Sequence, residues 1–181
     1  MKGLLILSDF CEDLEALGTR ALLKRAQIEI DTVTYNETKE IKTAFGLDVK
    51  VDYHMDEVDL DDYGFLVIPG GKYVAMIIES DTRIKSLAKI FETEDKMIAA
   101  ICAGPRFLGE MGILENKQYT IYKGLQEESY KGIYKEELKA VTDGKIITGR
   151  GAGATIEFAL EIIAFVKSKD TAKQIKNSIL F

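Results

Sequence analysis

The ten residues from Lys96 to Pro105 constrain the fold of this 181-residue chain more than any other segment. A continuous apolar run ends at Cys102, small residues flank the cysteine, and Pro105 follows three positions later. This order is typical of a nucleophile elbow, in which a buried strand turns sharply into a helix between small side chains. Proline suits the first helical turn, because its missing N–H would have had no partner there. The segment therefore predicts a buried parallel strand with a cysteine at its carboxyl end.

Two interpretations of Cys102 are compatible with this stretch. A thiol at a helix N-terminus is favoured as the thiolate, which predicts a pKa below the value of about 8.5 for a free thiol. The alternative is an unreactive cysteine in a core strand, since free cysteine is often buried. The stretch by itself leaves both open.

Strand-like and helix-like segments alternate along the chain, which favours an α/β sandwich with a mainly parallel sheet and helices on both faces. Strands are expected at residues 3–7, 28–34, 65–68, 97–101 and 119–122, and helices at 12–26, 82–94, 105–111, 154–167 and 170–178. Hairpins are expected at 41–53 and 138–148, with a solvated acidic loop at 56–62. No linker divides the chain, so a single domain over residues 1–181 is expected.

Composition excludes several classes of function. A net charge of −6 and the lack of a dense basic cluster argue against nucleic-acid binding. No apolar run is long enough for a bilayer span, and the first residues do not form a signal peptide, so we expect a cytoplasmic protein without membrane contact. Two cysteines and one histidine without ligand spacing indicate free thiols and no metal or other cofactor.

Three polar or glycine-rich segments follow predicted strands. They are residues 9–15, the Pro69–Gly71 turn and the Cys102 elbow. Both prolines of the chain lie in these segments. Because ligands of open α/β sheets bind beyond the carboxyl ends of the strands, we expect the three segments to form one site.

Four segments together resemble the ThiJ/PfpI superfamily, within the class I glutamine amidotransferase-like fold. They are Glu12–Ala16, Val67–Gly71, Ala99–Pro105 and Gly149–Ala159, and the resemblance runs from about residue 3 to residue 166. The chain is most similar to the branch of the Parkinsonism-associated protein deglycase. This resemblance implies a flavodoxin-like three-layer sandwich, a homodimer and a reactive cysteine on the elbow.

The resemblance also assigns site residues. Cys102 matches the reactive cysteine, and Glu15 matches an acid beside it that, when protonated, would donate a hydrogen bond to the thiolate and move protons. The implied oxyanion and substrate pocket consists of Gly70, Gly71, Ala103, Tyr122, Gly151, Ala152 and Gly153. From the residues alone, Glu15 could instead complement a helix dipole, and the glycines could form a tight turn.

The departures from the family pattern concern histidine. Ala103 stands where the peptidase branch has histidine, and Tyr122 stands where the deglycase branch often has one. The single histidine, His54, lies on a predicted hairpin far from the elbow. Without a Cys–His dyad, hydrolytic acyl transfer lacks its usual base. Ala152 also replaces a frequent proline of the glycine-rich loop.

Cys11 lies in the loop after the first predicted strand, four positions before Glu15. It could form a disulfide with an oxidised Cys102, or it could simply fill space.

These observations predict a cofactor-free cysteine enzyme that acts on small reactive carbonyls. The expected activity is of the glyoxalase III or protein deglycase type, converting methylglyoxal to lactate. The first alternative is a non-enzymatic, redox-responsive protein that senses oxidation at Cys102. The second is an amidase or peptidase of the PfpI type, which the missing dyad histidine disfavours.

Overall fold

The computed structural model describes all residues from 1 to 181. The strands are β1 (Gly3–Ile6), β2 (Ile30–Thr34), β3 (Glu40–Lys42), β4 (Asp48–Lys50), β5 (Tyr53–His54), β6 (Phe65–Ile68), β7 (Met97–Ile101), β8 (Gln118–Tyr119), β9 (Ile133–Tyr134), β10 (Ala140–Asp143) and β11 (Ile146–Gly149). The helices are α1 (Thr19–Arg25), α2 (Lys72–Ile77), α3 (Arg83–Thr93), α4 (Pro105–Glu110), α5 (Thr155–Val166) and α6 (Lys169–Ser178).

A seven-stranded sheet forms the centre, in the order β10-β11-β7-β6-β1-β2-β5. Its neighbouring strands are parallel, except that β10 runs antiparallel to β11. Every residue of β1, β6, β7 and β11 is buried, as expected for parallel strands covered on both faces. One helical layer contains α1, α5 and α6, and α3 packs with α4 in the other. The predicted α/β sandwich is confirmed.

The direction of the chain across the sheet reverses between β1 and β6. From β1 the chain proceeds to β2 on one side, and it later returns to place β6 and then β7 on the other side. Such a switch leaves a crevice at the carboxyl ends of the strands, where ligands bind in this class of fold. The loops after β1, β6 and β7 therefore meet at one edge of the sheet.

Several predicted elements differ from the structure. The hairpin expected at 41–53 ends earlier, as β3 and β4, and Tyr53–His54 instead joins the main sheet beside β2. The strand expected at 119–122 is only β8, which pairs with β9 in a small separate sheet. The acidic loop at 56–62 contains two short 3-10 turns. Pairing partners distant in the chain decide these short elements, and local patterns do not reveal them.

Two further differences lie next to the candidate site. Helix α2 begins directly after Gly71 and was not predicted, because its six residues are too short for a periodic signal. The helix predicted at 12–26 begins with a π-helical turn over Leu14–Gly18 before it becomes α-helical. Single π turns within helices are frequent at functional sites. No helix in the structure has both the length and the apolar character needed to cross a bilayer.

Candidate active site

Cys102 directly follows β7 and has a φ of +61°, in the left-handed region. A non-glycine residue rarely adopts this conformation, which occurs preferentially at active sites and ligand clamps. Two neighbouring segments hold the backbone there: the Cys102 N–H donates to the carbonyl of Gly149 at 2.9 Å, and its carbonyl accepts from the N–H of Tyr122 at 3.0 Å. The side chain is partly exposed. The predicted nucleophile elbow is therefore present in the structure.

Gly104 shows why the elbow requires small residues. A Cβ atom at this position would lie 2.7 Å from the carbonyl oxygen of Ile68 and 3.0 Å from that of Ile101. Both distances are too short for a side chain, so only glycine allows the start of α4 to pack against the ends of β6 and β7. The glycine two positions after the cysteine thus has a direct packing reason.

Glu15 lies in the π-helical turn and its side chain is fully buried. Its Oε2 accepts a hydrogen bond from the backbone N–H of Gly70 at 2.8 Å, and its Oε1 has no hydrogen-bond partner. Burial raises the pKa of this carboxyl to about 7, against the opposing effects of hydrogen bonds from Cys102 and Gly70. At neutral pH both the acid and the carboxylate are therefore populated.

Gly70 brings the two reactive side chains together. A Cβ atom at Gly70 would lie 2.6 Å from the Cβ of Cys102, 2.7 Å from Oε2 of Glu15 and 2.9 Å from the backbone nitrogen of Ala103. The thiol and the carboxyl consequently face each other across a glycine that must lack a side chain. This contact joins the loops after β6 and β7 to the segment that follows β1.

The prediction that Cys102 has a lowered pKa is wrong. Burial raises the pKa of its thiol, and the adjacent Glu15 carboxylate raises it further, while only the N–H of Ala103 lowers it. The helix that was expected to favour the thiolate has only six residues, and its first residue, Pro105, offers no N–H. Cys102 and Glu15 form a coupled pair, so their protons are lost in steps that belong to both groups.

The backbone N–H groups of Gly71 and Ala103 form no hydrogen bond to any oxygen of the chain. Gly71 has a φ of +123°, and a Cβ atom there would lie 2.4 Å from the carbonyl oxygen of Phe10. Free N–H groups held rigidly near a nucleophile can stabilise a developing oxyanion. Both N–H groups are therefore candidates for such an oxyanion site.

The remaining predicted pocket residues line a neighbouring cavity. Tyr122, Gly151, Ala152 and Gly153 surround it together with Lys123, Glu136, Arg150 and Ala154. Neither Cys102 nor Glu15 lines this cavity, and the link to the elbow is the hydrogen bond from Tyr122 to the Cys102 carbonyl. Sequence reasoning missed Lys123, Glu136 and Arg150. Of these three, only Arg150 could have been predicted from the sequence, because it stands between a predicted strand and the glycine-rich loop.

The other cysteine and the histidine lie outside this arrangement. Cys11 is fully buried and reduced, and burial raises its pKa to about 12. This environment favours the space-filling interpretation. His54 ends β5, four strands away from β7 in the sheet. No group of three or more His, Cys, Asp and Glu side chains is arranged to hold a metal ion.

Known proteins are similar to this chain over most of its length. Among curated relatives, the dj-1beta protein of Drosophila melanogaster is 27% identical over 179 residues, which cover 98% of this chain and 96% of that protein. The deglycase PfpI of Pyrococcus furiosus is 29% identical over 168 residues, covering 92% and 100%.

Solved structures are similar over nearly the whole chain. Drosophila DJ-1beta has a TM-score of 0.90 at 27% identity, covering 99% of this chain and 98% of that one. Oxidised DJ-1 of Toxoplasma gondii has a TM-score of 0.88 at 28% identity, with the same coverage. The family model described as the DJ-1/PfpI family matches residues 1–165. The chain therefore belongs to the DJ-1/PfpI family.

Proposed function

We propose that this protein is a cofactor-free cysteine enzyme that converts small 2-oxoaldehydes, such as methylglyoxal, into 2-hydroxy acids. The observation that carries the proposal is the fully buried Glu15 carboxyl, with a pKa of about 7, facing Cys102 across Gly70. A general acid–base group works best when its pKa is close to the working pH. Relatives that bear the name deglycase support an enzymatic role.

The reaction begins with addition of the Cys102 sulfur to the aldehyde carbon. Glu15 carboxylate accepts the thiol proton as the sulfur–carbon bond forms, and the aldehyde oxygen becomes an alkoxide. The N–H groups of Gly71 and Ala103 stabilise that oxyanion. Glu15 then returns the proton to the oxygen, which leaves a neutral hemithioacetal and a free carboxylate.

The second stage moves hydrogen between two carbons. Glu15 removes the proton from the former aldehyde carbon, and the resulting enediolate takes a proton from Glu15 on the adjacent carbon. The product is a 2-hydroxyacyl thioester of Cys102. Water then cleaves the sulfur–carbon bond, so the net change is one 2-oxoaldehyde plus one water giving one 2-hydroxy acid, with the thiol restored.

The test is lactate formation from methylglyoxal by the purified protein. Wild type should produce lactate, whereas Cys102→Ser should lose at least about a hundredfold, because serine is a much weaker nucleophile than cysteine. Cys11→Ser provides the matched control and should retain turnover. Equal lactate formation by wild type and Cys102→Ser would contradict the proposal.

A second candidate is redox sensing at Cys102. A partly exposed thiol can react with two molecules of hydrogen peroxide, taking one oxygen from each and releasing two waters, to give a sulfinic acid. The unpartnered Oε1 of Glu15 favours this candidate, because a protonated Glu15 could donate a hydrogen bond to a sulfinate oxygen. Gain of two oxygens at Cys102, together with absent methylglyoxal turnover, would favour sensing over catalysis.

The proposal includes a homodimer, which the family resemblance implies. Exposed apolar side chains on the first helix and on the β3–β4 hairpin support it: Leu14 is 53% exposed, Phe45 80% and Leu47 51%. Apolar groups of this kind commonly become buried in subunit interfaces. Sedimentation equilibrium tests the dimer, and a Phe45→Glu variant should weaken it.

A further inference from the structure

The cavity beside the elbow contains a cation without an anionic partner. Arg150 forms no salt bridge, and the only hydrogen bond of its guanidinium is a 3.5 Å contact from Nη1 to the carbonyl oxygen of Glu136. Arg150 is nevertheless partly buried and lines the cavity together with Tyr122 and the Gly151–Gly153 loop. A guanidinium has five N–H donors suited to a planar carboxylate, so most of its hydrogen-bonding capacity is unused here.

The other charges in the cavity cancel. Lys123 pairs with the carboxylate of Glu136 at 2.5 Å. Among the lining residues this leaves one net positive charge, which belongs to Arg150. The chain as a whole carries a net charge of −6, so the cavity differs in sign from the average surface. A local cation of this kind attracts and orients an anion.

Arg150 and Cys102 lie on neighbouring backbone segments at the same edge of the sheet. Strands β7 and β11 are parallel neighbours in which Ile101 pairs with Gly149. Cys102 and Arg150 directly follow these two strands, and adjacent strands are spaced about 4.8 Å apart. The N–H of Tyr122 contacts the Cys102 carbonyl, and its half-exposed ring forms part of the same cavity.

We infer that Arg150 binds a carboxylate of the substrate and that the protein prefers 2-oxoaldehydes carrying a terminal carboxylate over neutral ones. This inference rests on the proposed function at Cys102. A suitable compound is 4,5-dioxopentanoate, whose aldehyde would react with Cys102 while its carboxylate binds Arg150. With one water the same hydrogen transfer yields 2-hydroxyglutarate, so atoms balance as for methylglyoxal.

The test compares 4,5-dioxopentanoate with its neutral methyl ester. Wild type should show a higher kcat/KM for the acid, and Arg150→Gln should lower the acid-to-ester ratio by at least about tenfold, the usual effect of losing one charged hydrogen-bonded contact. Lys173→Gln removes a positive charge from an exposed site on α6 and should leave the ratio unchanged. An Arg150→Gln variant with the wild-type ratio would overturn the inference.

A binding measurement separates this inference from the proposed chemistry. In Cys102→Ser, which cannot form the thioester, 2-hydroxyglutarate should bind at least about tenfold more tightly than lactate, and Arg150→Gln in the same background should abolish the difference. Absence of turnover with retained Arg150-dependent binding would refute the enzymatic proposal and keep the anion site. The anion site would be refuted if both substrates were converted and Arg150→Gln changed neither rate. It would also be refuted if Arg150→Gln altered only the sedimentation of the protein.

Discussion

The two cysteines of this chain stand at the same edge of the same sheet but in opposite chemical environments. Cys11 follows β1, is completely buried, and forms an isolated backbone bridge with Gly71. Cys102 follows β7, is partly exposed, and has a left-handed backbone that aims its side chain at a buried carboxyl. Position at a strand end is therefore insufficient to make a reactive thiol. The elbow conformation and the adjacent Glu15 distinguish the two.

We expect Glu15 to contribute most to the difference in reactivity between Cys102 and Cys11. Glu15→Gln keeps a hydrogen-bond donor beside Cys102 but cannot transfer protons. We expect methylglyoxal turnover to fall by at least about a hundredfold, the lower end of general acid–base contributions, while Cys102 remains open to alkylation. Steady-state kinetics and alkylation of the same preparation measure both effects. Turnover like that of wild type would remove Glu15 from the mechanism.

Glu15 should also impose a pH dependence on stability. Its pKa is raised in the folded protein from 4.5 to about 7, so its contribution is fully present below about pH 4.5 and is lost as the pH rises to about 7. The free energy of unfolding of wild type should fall by about 2–3 kcal/mol over this range relative to that of Glu15→Gln, since one pKa unit corresponds to about 1.4 kcal/mol. Urea unfolding of both proteins from pH 4.5 to 8 measures the difference. If the free energy of unfolding changed with pH equally in both proteins, the pKa of Glu15 would not be raised by folding.

Alkylation compares the two thiols directly. Cys102 should react at least about tenfold faster than Cys11 at pH 7.5, because the Cys102 side chain is partly exposed whereas that of Cys11 is completely buried. The Cys102 rate should still increase with pH above 7, because burial raises the pKa of its thiol and the Glu15 carboxylate formed near pH 7 raises that pKa further. Iodoacetamide labelling with peptide mapping measures both rates. Preferential labelling of Cys11 would reverse the comparison.

The smallest expected effect concerns Cys11 itself. Cys11→Ala removes one buried sulfur and should lower the free energy of unfolding by about 1 kcal/mol, as for a small cavity, with turnover preserved. Cys102→Ala should cost less stability, because its side chain is partly exposed. Urea denaturation of the two variants measures the contrast. Loss of turnover in Cys11→Ala would instead show that Cys11 takes part in the chemistry.

Much of the fold could be predicted from the sequence, because the patterns that indicate it are local. The buried runs of β1, β6 and β7 and the amphipathic α5 are continuous patterns set by burial on one or both sides. The short strands could not be predicted in this way. Strand β5 exists because it pairs with β2, and β9 because it pairs with β8. Two residues carry no periodicity, so only their distant partners determine their conformation.

The sequence by itself determined the elbow, because an apolar run, a cysteine between small residues and a proline form a pattern contained within ten consecutive residues. The family resemblance, and not the residues alone, pointed to Glu15 and to the pocket glycines. Only the tertiary structure decided that Glu15 is wholly buried against Gly70, that the thiol pKa rises instead of falling, and that Arg150 stands without a carboxylate partner in a cavity next to the elbow. These properties depend on desolvation and on charges brought together from distant segments, and neither quantity exists until the chain has folded.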